Sequence, residues 1–62
     1  MTTLLRLDAV KERTALSRSH IYELLERGEF PRPVKLSGRI NAWPDNEIDG
    51  WIKARIAERE AA

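Results

Sequence analysis

Between Thr14 and Gly28 the chain reads Thr-Ala-Leu-Ser-Arg-Ser-His-Ile-Tyr-Glu-Leu-Leu-Glu-Arg-Gly, and no other stretch constrains the fold as much. Ser17 is placed to cap a helix, because its hydroxyl can accept from a free N–H of the first turn. Gly28 ends that helix, since glycine reaches the left-handed C′ conformation without strain. Between these marks Ile21, Leu24 and Leu25 have i, i+3, i+4 spacing and gather into one apolar stripe. The opposite face carries Ser19, Tyr22, Glu23 and Glu26, with Arg18 and His20 on its flanks. A helix of about 15 Å is too short to stand alone in water and must dock on something. Leu7, Val10 and Leu16 supply the dock, around a turn at Thr14-Ala15-Leu16. A helix, a tight turn and a second short helix with a polar outer face form the layout of a DNA-reading helix-turn-helix.

A chain of 62 residues has room for one small domain, expected over residues 4–60. Its stability is expected to be modest, because so short a chain buries a limited fraction of its surface. It has no cysteine, which removes disulfide scaffolds and thiolate zinc sites. Nothing approaches the roughly 18 continuous apolar residues of a membrane span, and no signal peptide is visible. A soluble cytoplasmic protein without membrane association is therefore expected. The net charge of +1 does not mark a nucleic-acid binder, but its distribution is informative. Phe30 to Trp43 contains Arg32, Lys35 and Arg39 and no acid, while Arg13 and Arg18 flank the turn without an acid between them. In the segment from Pro44 onward, Asp45, Glu47, Asp49, Glu58 and Glu60 outnumber Lys53, Arg55 and Arg59. That asymmetry fits one phosphate-facing side and one solvent-facing side.

The remaining elements follow from local signals. Met1 to Thr3 is expected to be disordered. Leu4 and Leu5 are placed to cover the edge of the core. Asp8 is expected to cap a first helix over Ala9 to Thr14. After Gly28, Pro31 and Pro33 impose an extended connection, with Phe30 as its apolar anchor. Val34-Lys35-Leu36 and Ile40-Asn41-Ala42-Trp43 read as two strands of a hairpin. A three-residue loop, Ser37-Gly38-Arg39, pairs Leu36 with Ile40 and Val34 with Ala42, leaving Lys35 and Asn41 outside and Arg39 near the tip. Trp43 has the wrong parity for that register and requires a bulge or an early strand end. Asp45 is placed to cap a last helix in which Ile48, Trp51, Ile52 and Ile56 form a core stripe and Asp49 pairs with Lys53. The expected architecture is mainly α with a small β-hairpin: a winged helix-turn-helix.

Several runs carry a specific resemblance. Leu5-Arg6-Leu7, Arg13 to Tyr22, Gly28-Glu29-Phe30-Pro31-Arg32-Pro33-Val34-Lys35-Leu36, Gly38-Arg39, Trp43, Glu47-Ile48-Asp49 and Trp51-Ile52 together resemble the AlpA family of prophage regulatory proteins. The resemblance extends from about Leu4 to Ile56. It implies a MerR-like or excisionase-like winged helix that binds double-stranded DNA in a bacterial cytoplasm, at the nucleoid, and regulates prophage genes. Ala15 stands where that family usually has glycine, and His20 where threonine is common. Ala15 adds strain if the turn requires a positive φ.

The residues expected at DNA are Ser17, Arg18, Ser19, His20 and Tyr22 on the second helix, taken as 18–27, with Lys35 and Arg39 on the 34–43 hairpin. Arg18 has the chemistry to read guanine, Ser19 a phosphate or base edge, and Tyr22 a phosphate or a thymine methyl. Lys35 and Arg39 suit the flanking backbone or the minor groove. Glu23 is expected to pair with Arg27. His20 has no partner ligands, so no metal is expected. No cofactor or small-molecule ligand is indicated. One histidine and carboxylates on exposed faces offer no catalytic set, which argues against an enzyme. An excisionase-like bending factor, or a protein-interaction adaptor using the acidic last helix, are the alternatives to a transcriptional regulator. Partners of each kind are a second or tandem copy on DNA, integrase and RNA polymerase.

Overall fold

The turn between the first two helices fixes their relative placement. In a computed structural model describing residues 1–61, α1 (Leu7–Thr14) ends at Ala15, which has φ 61° and ψ 20° and donates its N–H to the Lys11 carbonyl at 2.8 Å. The strain anticipated for a non-glycine residue is therefore present: Ala15 occupies the left-handed region. The Thr14 hydroxyl helps to hold the turn, donating to the Val10 carbonyl at 2.8 Å and accepting from the Leu16 N–H at 3.4 Å. Ser17 then caps α2 (Arg18–Glu26), its Oγ accepting from the His20 N–H at 3.2 Å.

At the other end of α2, Gly28 has φ 71° and donates to the Leu25 carbonyl, while the Glu29 N–H reaches the Leu24 carbonyl. That pair of bonds is a Schellman closure, which satisfies carbonyls the helix leaves open. α1 begins two residues earlier than expected. Asp8 lies in its first turn and is not its cap; Arg6 takes the N-cap position without a side-chain bond.

Three strands form an antiparallel sheet in the order β1 (Leu4–Leu5), β3 (Ile40–Pro44), β2 (Val34–Ser37). Leu4 and Leu5 pair with Pro44 and Trp43, so they form an edge strand beside the wing. Thr3 extends this tie: its carbonyl accepts the Asp45 N–H at 2.8 Å, and its own N–H donates to the Asp45 carboxylate at 3.1 Å. The disorder expected for Met1 to Thr3 therefore does not hold for Thr3, and the Asp45 carboxylate binds outside its own helix.

The hairpin register is also partly corrected. Val34 faces Ala42 and Lys35 faces Asn41 as expected, but Ser37 faces Ile40, with an irregularity between Lys35 and Ser37. Leu36 is thus a bulge residue, and the loop is the two-residue Gly38-Arg39, with Gly38 at φ 51°. At Trp43 neither a bulge nor an early strand end is needed: β3 runs on through it, and Ala42 and Trp43, on opposite faces, are both buried.

The core consists of Leu5, Val10, Ile21, Phe30, Trp43 and Ile48. Phe30 lies edge-on to both indoles, at 6.5 Å from Trp43 and 5.0 Å from Trp51. The indole N–H groups donate to the backbone on either side of it, Trp43 to the Pro31 carbonyl at 2.8 Å and Trp51 to the Glu29 carbonyl at 2.9 Å. The proline-rich connection is therefore clamped from two elements. α3 (Asp45–Ala61) closes the core with Ile48, and with Trp51 and Ile52 half-buried. Ile56 does not join them, being 47% exposed. Asp49 pairs with Arg13 of α1 at 3.3 Å, and not with Lys53.

Candidate nucleic-acid interface

The start of α2 presents Arg18, Ser19, His20 and Tyr22 at the surface, because the apolar stripe turns Ile21 inward. Arg18 holds its guanidinium 5.6 Å from the Tyr22 ring centroid, a cation–π arrangement across one turn of helix. Ser17 has a defined structural role through its cap bond to His20. Farther along, the Glu23 carboxylate accepts from Arg27 at 2.8 Å, as expected, so this acid is neutralised in place.

The hairpin tip adjoins this surface. Asn41 and Trp43 alternate along β3 onto one face of the sheet, and Arg39 stands just before them in the hairpin loop. That face meets α2 in a recess of about 270 Å³, where Arg39 and Asn41 line the same space as Arg18 and Tyr22. Arg6, from the N-cap of α1, lines it as well, and Asp8 is the one acid there. Among the described residues, none of these three arginines forms an ion pair. The recess therefore carries an excess of fixed positive charge. The Asn41 side-chain oxygen is buried at its wall without a hydrogen-bond partner.

Of the residues singled out from sequence, the structure brings Arg18, Tyr22 and Arg39 together at the recess. Ser19 and His20 lie outside it on exposed helix surface. Lys35 is also exposed, but its pairing with Asn41 sets it on the recess side of the sheet. Arg6 and Asn41 were not anticipated. Asn41 was detectable from its shared parity with Trp43 along β3; Arg6 becomes visible only once β1 delivers it to the sheet.

A short helix-turn-helix whose second helix lies beside a basic hairpin makes this a winged helix-turn-helix protein. The chain belongs to the AlpA family: the family model described as "Prophage CP4-57 regulatory protein (AlpA)" matches residues 3–56. It is also similar to a protein of Enterobacteria phage P4, "Uncharacterized protein ORF88", with 46% identity over 56 residues. That alignment covers 90% of this chain and 64% of the phage protein, so the chain spans less than two thirds of that relative's length. The matched family is one of regulatory proteins, not of enzymes. Among the described residues, no helix is long and apolar enough to cross a membrane.

Proposed function

We propose that this protein is a sequence-specific DNA-binding regulator of prophage genes. In this reading the start of α2 enters the major groove, with Arg18, Ser19, His20 and Tyr22 facing base edges and phosphates. Lys35 and Arg39 of the hairpin contact the flanking backbone, and Ser17 sets the helix start. The observation that carries the reading is the convergence of Arg6, Arg18 and Arg39 on one recess between helix and wing without paired carboxylates. Such an excess of cations favours a polyanion. Membership of a family described as regulatory supports the same direction.

Selection of duplexes from a random pool, followed by footprinting, tests this directly. A defined protected site with affinity that falls with salt is the expected result. No enrichment, together with binding indifferent to salt, would reject it. A circular-permutation mobility assay on the selected site separates groove reading by a regulator from an excisionase-like factor that bends the duplex strongly.

A further inference from the structure

We infer that the recess between α2 and the hairpin seats one phosphate group of the DNA backbone, held by Arg6, Arg39 and the side-chain amide of Asn41. The inference rests on the DNA reading above and adds two residues and a ligand group to it. Three observations combine. First, Arg6 and Arg39 come from separate elements, the N-cap of α1 and the wing tip, yet both line this space with no carboxylate bound to either among the described residues. Asp8, the one acid lining the recess, is too little to balance the guanidiniums there, so a further anion is favoured.

Second, Asn41 has a buried amide end without a partner. A buried polar group left unsatisfied is uncommon and costly, and here it borders the cationic space. The buried atom is Oδ1, so the open end of the amide is its NH₂ group, which adds a neutral donor to the charged ones at the recess. Third, the floor of the recess is rigid, because the neighbouring Trp43 is 1% exposed and its indole N–H is bound to the Pro31 carbonyl. A fixed set with donors in excess suits a group offering several acceptor oxygens and a single negative charge. A phosphodiester has that chemistry. Arg18 borders the same space but is stacked on Tyr22, leaving its fork available for the groove. A phosphate held at this junction ties the angle of the recognition helix to the position of the wing.

The test begins with wild-type protein on its selected duplex, in which single phosphates are replaced one at a time by neutral methylphosphonates. One position flanking the major-groove contact should weaken binding about tenfold. Arg6→Ala should lower affinity for the unmodified duplex by a similar factor, flatten the log K against log salt slope by about 0.9, and be insensitive to that methylphosphonate. Asn41→Leu adds a readout that a structural role does not predict. Its thermal midpoint should stay the same or rise, as an unsatisfied polar group is removed, while DNA affinity falls.

If Arg6→Ala and Asn41→Leu leave affinity, slope and methylphosphonate pattern unchanged on a duplex the wild type binds specifically, the seat is wrong and the DNA reading stands. If inorganic phosphate at millimolar levels raises the thermal midpoint while no methylphosphonate matters, the recess is a free-anion site and the inference fails. If the wild type selects no duplex, both readings fall.

Discussion

The guanidinium of Arg18 lies 5.6 Å from the Tyr22 ring centroid, so the first cation of α2 is held by an aromatic side chain one turn along. This contact limits the rotamers of a long, exposed side chain before DNA arrives. An arginine held in this way loses less entropy on forming a bidentate contact with guanine. Arg18→Ala should weaken the preferred duplex by about 1–3 kcal/mol and random DNA much less. Anisotropy titrations on both duplexes measure the difference. Equal losses would reduce Arg18 to a backbone contact.

Ala15 offers a gain in stability. With φ at 61° it occupies the left-handed region, which costs an alanine roughly 1–2 kcal/mol. Glycine removes that strain but adds chain entropy to the unfolded state, offsetting about 0.5–1 kcal/mol. Ala15→Gly should therefore stabilise the domain by about 0.5–1 kcal/mol and raise the thermal midpoint by a few degrees. Circular dichroism melts check this. A lower midpoint would mean that the alanine methyl contributes packing at the turn.

The two tryptophans should separate in the same assay. Trp43 is 1% exposed and packs within the core, whereas Trp51 is half-buried. Trp43→Ala should cost about 3–5 kcal/mol, enough to leave so small a domain largely unfolded. Trp51→Ala keeps part of its cost, through the edge contact with Phe30 and the bond to the Glu29 carbonyl, yet should leave a measurable folded population. Urea titrations of the two variants that coincide would contradict this difference in burial.

These cases show which parts of the fold were legible in the sequence. Both ends of α2 were, because a serine cap and a glycine C′ are local devices that need no tertiary partner. The Glu23–Arg27 pair was legible for the same reason, and Phe30 because a lone large apolar group in a proline-bounded connection must bury itself. β1 was not: two residues carry no periodicity, and Leu4–Leu5 becomes a strand only through pairing with β3. The loop was misread because apolar pairing of Leu36 with Ile40 favours three residues, whereas a bulge at Leu36 sets Ser37 against Ile40. Ile56 satisfied the helical spacing, but α3 extends past the small body it packs against and leaves that turn in solvent. At the candidate site, Arg18, Tyr22 and Arg39 were recognisable as exposed groups. Their convergence with Arg6 depends on the sheet, and no local pattern encodes it.

The last prediction concerns the wing. Lys35 and Arg39 are exposed, and neither takes part in an ion pair among the described residues. Lys35 lies opposite Asn41 and Arg39 sits in the two-residue loop, so removing either side chain should leave the core intact. Each phosphate contact releases condensed counterion, and losing one should flatten the log K against log salt slope by about 0.9. Lys35→Ala and Arg39→Ala should each weaken binding to all sequences and each reduce the slope by that amount. The double variant should lose about twice as much slope, if the two residues meet different phosphates. A backbone contact carries no sequence, so the loss at Arg39 should be equal on A·T-rich and G·C-rich flanks. A larger loss on A·T-rich flanks would instead move Arg39 into a narrow minor groove. Titrations of the three variants at several salt concentrations distinguish these outcomes. Unchanged slopes with native circular dichroism would mean that the hairpin does not touch DNA, leaving the helix-turn-helix to bind without its wing.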